Sequence, residues 1–194
     1  MFGGTFDPIH NAHLEVARTA AASFALRKIL FVPSGTPPHK RGAQASFEDR
    51  VRMVERAIAG EPLFEVSTVE QGAGKSYSVL TIERLLAEGY SGLGFLIGAD
   101  AFAEITTWYR WRDLASMVEF LVVTRPGSGY AVPEGVRVRA LPGMHLDVSS
   151  SAVRASVAED LPDIPVPPAV LDWIRERGLY RSQPGKISLS PYSV

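Results

Sequence analysis

Apolar residues along the chain fall into two alternating rhythms. Lys28-Ile29-Leu30-Phe31-Val32-Pro33 carries consecutive apolar residues and predicts a strand buried on both faces. Leu63–Val69, Leu93–Ile97 and Val118–Val123 predict three more short strands of the same kind. Helical spacing lies between them. Ala12–Leu26 repeats apolar residues at Leu14, Val16, Ala17, Ala20 and Ala21, with Asn11 placed as its cap. Ser46–Ala59 opens on Ser46-Phe47-Glu48-Asp49, close to a capping box, and repeats Val51, Val54 and Ile58. Tyr77–Glu88 stops before Gly89, a natural helix terminator. Strands and helices alternating at these lengths predict right-handed βαβ units, hence a doubly wound, Rossmann-like α/β fold. Its sheet should be mainly parallel with helices on both faces.

The last third changes character. Val136–Leu141 alternates charged and apolar residues and predicts a more exposed strand, followed by helices near Ser150–Val157 and Pro168–Arg177. This gives a small helical C-terminal portion. The proline-rich run Leu161–Pro168 reads as a stiff loop, and residues 182–194 lack periodicity and are expected to form a flexible tail. Residues 1–181 then make one domain.

Composition narrows the class. Of 194 residues, 46% are hydrophobic and 21% charged, which excludes a disordered chain. Twenty Lys and Arg against 21 Asp and Glu leave a formal charge of −1, which argues against a protein built to grip duplex nucleic acid. The chain has no cysteine, so disulfide frameworks, thiolate zinc sites and cysteine nucleophiles are excluded. No stretch approaches the roughly 18 uninterrupted apolar residues of a membrane span. Asp7, His10 and Glu15 interrupt any signal-peptide core, so a soluble, cytoplasmic protein is expected.

Four constellations could carry chemistry. In Gly3-Gly4-Thr5-Phe6-Asp7-Pro8-Ile9-His10-Asn11-Ala12-His13, two glycines precede a helix start where two imidazoles can face the positive end of the helix dipole. That suits a phosphate. It is neither a GxGxxG fingerprint nor a P-loop, and zinc is disfavoured because HExxH spacing is absent. The bland alternative is a glycine turn, one capping histidine and one core histidine. Asp147-Val148-Ser149-Ser150-Ser151-Ala152-Val153-Arg154 offers hydroxyls, a helix start and a guanidinium to a polyphosphate, though serines there are also ordinary caps. Pro37-Pro38-His39-Lys40 presents two cations on a rigid loop and is equally compatible with a solvated surface. Its sharing of three of the four histidines with the first constellation favours a site. His145 is read as structural. Ile97-Gly98-Ala99-Asp100 puts a carboxylate at a strand end, where a ribose hydroxyl is commonly bound. Trp108-Tyr109-Arg110-Trp111 and Arg125-Pro126-Gly127 follow. No metal-ligating set is identified.

Together these segments resemble a known superfamily. Gly3 to His13 looks like the GGxFDPxHxGH motif of the HxGH nucleotidylyltransferases, and Ser149 to Arg154 is similar to their ISSTxxR motif. The order of Pro37–Lys40, Glu48–Arg50 with Met53, Lys75–Tyr77, Ile97–Asp100, Trp108-Tyr109 and Arg125–Gly127 is similar to that of the bacterial nicotinate mononucleotide adenylyltransferases. Pro168, Trp173 and Gly178-Leu179-Tyr180 continue the likeness, which covers residues 2 to 180. Ala12 stands where the family has glycine and is expected to set the helix start slightly farther from phosphate; Ser151 replaces a threonine. Only Met1 and Phe2 precede the glycines where the family has a full central strand. Either a shortened first strand or a coding start called late is expected there.

The resemblance implies transfer of the adenylyl group of ATP to nicotinate mononucleotide, giving deamido-NAD and pyrophosphate. It implies His10, His13 and Arg154 as catalytic residues at the triphosphate, with Ser149 and Ser150 on its β and γ phosphates. Gly3, Gly4 and Thr5 would supply backbone room and N–H donors, and Asp100 would bind a ribose. For the acceptor it implies Trp108 stacking on the pyridine, Ser76, Tyr77, Ser78 and Tyr109 near its carboxylate, and His39, Lys40 and Arg125 alongside. Mg2+ is expected to arrive with the ATP phosphates. Partners are thus ATP and nicotinate mononucleotide, with no polymeric nucleic acid and no membrane; a homo-oligomer is compatible with the sequence. Two alternatives stay open: a phosphopantetheine adenylyltransferase-like enzyme, and a non-catalytic nucleotide-binding regulator on the same fold.

Overall fold

Six parallel strands form one sheet in the order β3-β2-β1-β4-β5-β6. They are β1 (Phe2–Gly4), β2 (Ile29–Pro33), β3 (Phe64–Val66), β4 (Gly94–Gly98), β5 (Glu119–Val123) and β6 (Val138–Leu141). The helices are α1 (Asn11–Phe24), α2 (Phe47–Ala57), α3 (Ser78–Ala87), α4 (Ala99–Ala103), α5 (Trp111–Met117), α6 (Ser150–Ala158) and α7 (Pro168–Glu176). The computed structural model describes residues 1–35, 43–124, 129–141 and 148–181. The tail expected at 182–194 lies outside the described residues, as do His39, Lys40, Arg125 and His145.

The doubly wound fold is therefore as the alternation predicts. One core contains α1, α2, α6 and α7 residues such as Leu14, Val54, Val153 and Ile174; the second contains Val79, Ile82, Leu85, Phe102 and Leu114 from α3, α4 and α5. Strand β2 is buried along its whole length, consistent with its unbroken apolar run. Strand β6, at the sheet edge, is exposed at both Arg139 and Ala140, so it is the more exposed strand expected although its burial does not alternate strictly.

Several boundaries differ from expectation for physical reasons. The cap of α1 is His10, not Asn11, which is the first helical residue. That helix ends at Phe24 because Ala25 turns left-handed at φ 50°, and Leu26 N–H then closes on Ala21 O at 3.0 Å. No glycine advertises this stop. Strand β3 is three residues rather than seven: after Ser67 N–H pairs with Phe31 O at 2.9 Å, the chain turns and delivers Glu70 beneath the sheet edge. Helices α4 and α5, five and seven residues long, are too short to leave a periodic signature. The expected shortness of the first strand holds, yet β1 lies in the middle of the sheet, paired with both β2 and β4.

The chain winds outward from β1 in both directions, so the reversal point lies between the C-terminal ends of β1 and β4. In open α/β sheets that crevice receives ligands. Phe31 anchors this centre: it is 0% exposed, and its ring lies 5.4 Å from those of Phe2 and Phe64 and 5.8 Å from that of Phe6. Phe31→Ala should cost about 3–5 kcal/mol, the range for removing a buried phenyl ring, measured as a fall in the urea-unfolding free energy.

Candidate active site

The segment leaving β1 is shaped by contacts with distant parts of the chain. Phe6 adopts a left-handed φ of 49° and folds its ring over Gly4, where an added Cβ would lie 2.9 Å from it. Glycine is thus needed at position 4 for this internal packing as well as for room at the sheet edge. Asp7 is 5% exposed. Its Oδ2 accepts from Gln44 N–H at 2.8 Å, and its Oδ1 from Ala45 N–H at 3.1 Å and from the Tyr180 hydroxyl at 2.7 Å. On the other side the loop is held by α6: Ser150 Oγ donates to Pro8 O at 2.9 Å, and Arg154 Nη1 donates to Asp7 O at 2.7 Å. The N-termini of α1 and α6, with their positive dipole ends, are thereby brought to the same loop; at α1 the Asn11 N–H is taken by Pro165 O at 3.0 Å and the His13 N–H by His10 O at 2.9 Å.

His10 caps α1 and His13 lies one turn in, with their rings stacked at 3.7 Å between centroids. His13 Nδ1 accepts from His10 N–H at 3.2 Å, so its ring proton resides on Nε2, which is a donor. Phe6 braces the His13 ring edge-on at 5.1 Å. His10 is 4% exposed, and its Nδ1 is buried with no hydrogen-bond partner. Burial pushes its imidazole down to about 4, so it is neutral at pH 7. Arg154 spends two of its N–H groups on Asp7 O and on Ser151 Oγ at 3.1 Å. Ser149 Oγ accepts from Ala152 N–H at 3.2 Å, leaving its own proton to donate, whereas Ser150 has given its proton to Pro8.

Beside this loop lies a cavity of about 390 Å³. Gly3, Gly4, Thr5, Ile97 and Gly98 line it together with Ser76, Tyr77, Ser78, Trp108 and Tyr109. Tyr77 caps the ten-residue α3 and its ring lies 4.7 Å from that of Tyr109. The hydroxyl oxygens of Ser34 and Ser76, both lining the cavity, are buried without partners. Asp100 falls in the first turn of α4, exposed at the rim and outside the cavity lining. Among the described residues, Glu70 and Glu104 are the charged side chains that line the cavity. The structure thus gathers Gly3, Gly4 and Thr5 with Ser76, Tyr77, Ser78, Trp108 and Tyr109, and sets His10, His13, Ser149, Ser150 and Arg154 around the adjoining loop. His39, Lys40 and Arg125, expected at the acceptor, are not among the described residues.

Two supporting residues are given no role by the sequence reading, which names Arg50 only within the family likeness and does not name Glu70. Arg50 is 2% exposed; its Nη1 donates to Thr5 O at 2.7 Å and its Nη2 to Gly35 O at 3.4 Å, while Nε is buried without a partner. Desolvation lowers its pKa, countered chiefly by the field of Asp7. Glu70, 6% exposed, accepts from Gly35 N–H at 2.9 Å and from Thr81 Oγ1 at 2.5 Å. Gly35 is gripped from both sides, and a Cβ there would lie 2.8 Å from Glu70 O. A signal for Arg50 existed: it shares the buried face of α2 with Met53, Val54 and Ala57, where a charge is anomalous.

The fold and this site define a nucleotidyltransferase-type domain, and a cytidylyltransferase-like family model matches residues 1–156. A probable nicotinate-nucleotide adenylyltransferase of Solibacter usitatus is 50% identical over 184 residues, spanning 93% of this chain and 97% of that protein. Another, from Desulfitobacterium hafniense, is 40% identical over 195 residues, spanning 93% and 94%. The chain belongs to the nicotinate-nucleotide adenylyltransferase family of enzymes. Its fold is shared by the Plasmodium falciparum nicotinic acid mononucleotide adenylyltransferase complexed with NaAD, with a TM-score of 0.73 at 20% identity over 92% of this chain and 95% of that one.

The depressed His10 pKa has a measurable consequence. Unfolded, this histidine titrates near 6.5; folded, near 4, so the unfolded chain binds the extra proton between those values. Its contribution to stability is complete above about pH 6.5 and is lost as pH falls towards 4, on the order of 3 kcal/mol in all. NMR titration should find its midpoint near 4, and His10→Asn should flatten urea-unfolding stability between pH 7 and 5.

Proposed function

We propose that this enzyme transfers the adenylyl group of ATP to nicotinate mononucleotide, giving deamido-NAD and pyrophosphate, a step of NAD biosynthesis. The observation that carries the reading is the pairing of an aromatic, hydroxyl-rich cavity with a loop bearing two helix N-termini, both at the sheet's reversal point. The 50% identity to a protein named for that activity supports the same conclusion.

The acceptor phosphate is ionised at neutral pH, so its oxygen attacks the α-phosphorus without a general base. The bond to the bridging oxygen breaks and pyrophosphate leaves with the electron pair. The protein's work is alignment and charge stabilisation. His13 offers a neutral Nε2–H donor, held by the His10 N–H; His10 acts uncharged, through hydrogen bonding. Arg154 supplies a permanent cation, and Ser149 a hydroxyl, to the triphosphate. Ser150 contributes its backbone N–H at the start of α6, its hydroxyl being engaged with Pro8. Gly3, Gly4 and Thr5 line the path between the two substrates, and Asp100 is assigned to a ribose hydroxyl.

In the acceptor half, Trp108 is assigned to the pyridine ring. The N-terminus of α3 and the unpartnered Ser76 hydroxyl suit the ring carboxylate, because an amide nitrogen there would set donor against donor. Glu70 turns both oxygens to Gly35 and Thr81, which directs its charge away from that carboxylate. His39, Lys40 and Arg125 are assigned to the acceptor on resemblance alone.

Among the described residues no group of three or more His, Asp or Glu could hold a metal ion. Mg2+ would be held by the ATP phosphates rather than by a carboxylate cage, and would there supply charge neutralisation for the departing pyrophosphate. Among the described residues no helix is long and apolar enough to cross a membrane. Dependence on ATP supports a cytoplasmic setting.

Pyrophosphate release with Mg-ATP should be fastest with nicotinate mononucleotide, slower with nicotinamide mononucleotide and absent with phosphopantetheine. Preference for phosphopantetheine overturns the acceptor assignment. Binding of ATP without release for any acceptor identifies a non-catalytic protein. His13→Ala should lower kcat by at least about a hundredfold, as loss of a transition-state donor does, in the same assay.

A further inference from the structure

We propose that Tyr180, from the segment beyond α7, is a positioning residue for Arg154: its hydroxyl holds the Asp7 carboxylate on the 44–45 backbone and so keeps the Arg154 guanidinium available to the triphosphate. The inference rests on the reading of Arg154 as a triphosphate ligand.

The geometry is a competition for one carboxylate. Arg154 Nη1 lies 3.8 Å from Asp7 Oδ2, an ion pair not yet closed to hydrogen-bond distance, while the same nitrogen donates to Asp7 O at 2.7 Å. What holds the carboxylate back is three other donors: Gln44 N–H, Ala45 N–H and the Tyr180 hydroxyl. The backbone donors are fixed by the chain, so Tyr180 is the side-chain member of the set. A buried carboxylate released from one donor will turn to the nearest cation, and a closed pair with Arg154 would consume charge meant for phosphate. The other cation whose field Asp7 feels, Arg50, is committed to Thr5 O and Gly35 O and forms no ion pair with it.

Tyr180 is built for this contact. Its backbone is left-handed at φ 62°, two residues after Gly178 at φ 61°, a conformation a tyrosine takes at a cost and keeps only when its surroundings enforce it. Its hydroxyl reaches 173 positions back along the sequence to Asp7 and also touches Met53 Sδ at 4.0 Å. Burial, and then the Asp7 contact, raise its pKa well above the ordinary phenol value, so it remains a donor at any working pH. The pillar beneath it is α7 packed on α2, clamped by Arg177–Asp49 at 3.2 Å and by Arg56 over the Trp173 ring at 4.6 Å.

Tyr180→Phe keeps the ring and removes only the hydroxyl. The Mg-ATP dissociation constant, measured by calorimetry, should rise about tenfold, the loss typical of a weakened charged contact. KM for nicotinate mononucleotide should stay within about twofold, a split that general loosening of the fold would not produce. In an Arg154→Ala background the same substitution should change ATP binding less than about twofold, because the residue it serves is gone. Equal effects in both backgrounds, or unchanged ATP affinity in Tyr180→Phe beside a crippled Arg154→Ala, would overturn the Tyr180 link alone. Unchanged ATP affinity in Arg154→Ala would overturn the triphosphate assignment and the proposal with it.

Discussion

The Asp7 carboxylate, buried to 5% exposure, joins four parts of the chain that are far apart in sequence. A charge taken so far out of water is tolerated only when its lone pairs are filled, and here two backbone N–H groups and a phenol fill them. Those donors come from the stretch before α2 and from the C-terminal segment, while α6 grips the adjoining carbonyls of Asp7 and Pro8. The loop it anchors includes a left-handed Phe6, a conformation that would relax if the anchor were lost. Fixing that loop fixes the start of α1, and with it both histidines.

The cavity side is held by the same logic with the charges reversed. Arg50 is buried and touches carbonyls rather than a carboxylate, tying the exit of β1 at Thr5 to the exit of β2 at Gly35. Glu70 takes the Gly35 N–H from the opposite direction. A buried cation and a buried anion therefore hold the carbonyl and the N–H of one glycine residue, and the space around it excludes even a methyl group. Both ions are committed to groups of the protein itself. Their effect is to set the width of the crevice between adjacent strand ends, which for a two-substrate transfer decides whether the reacting phosphates can align.

The sequence made much of this legible, and unevenly. Strand β2 could be read because five consecutive apolar residues have no other use, and α2 because Ser46 accepts from Asp49 N–H as its spacing promised. The glycine, histidine and serine–arginine clusters could be singled out because the residues within each lie close in sequence, and the structure gathers them around one loop. The 173-residue separation of Tyr180 and Asp7 leaves no such local trace, nor does the Gly35 clamp, whose two side chains lie 15 and 35 positions away. Helices α4 and α5 were missed for a different reason: one or two turns packed by Phe102, Ile105 and Leu114 owe their form to the core beneath them. His10 as the cap of α1 ran against residue preference, since asparagine is the better cap and stood next to it.

Electrostatics then explains how a protein whose net charge is only −1 can handle two polyanions. The described residues bring one cation, Arg154, to the loop assigned above to the triphosphate, while His10 is kept neutral by burial and His13 is held as the Nε2–H tautomer. On the proposed reading the remaining stabilisation comes from the dipole ends of α1, α6 and α3, which are oriented before any ligand arrives. Such dipoles differ from surface lysines in one useful respect. They attract phosphate over a few ångströms only, so the product pyrophosphate is not retained by a long-range field once its geometry no longer matches. A site of fixed dipoles around a single guanidinium is thus suited to binding two anions in line and releasing one, and its dependence on exact placement is why so much of the chain is spent holding one loop still.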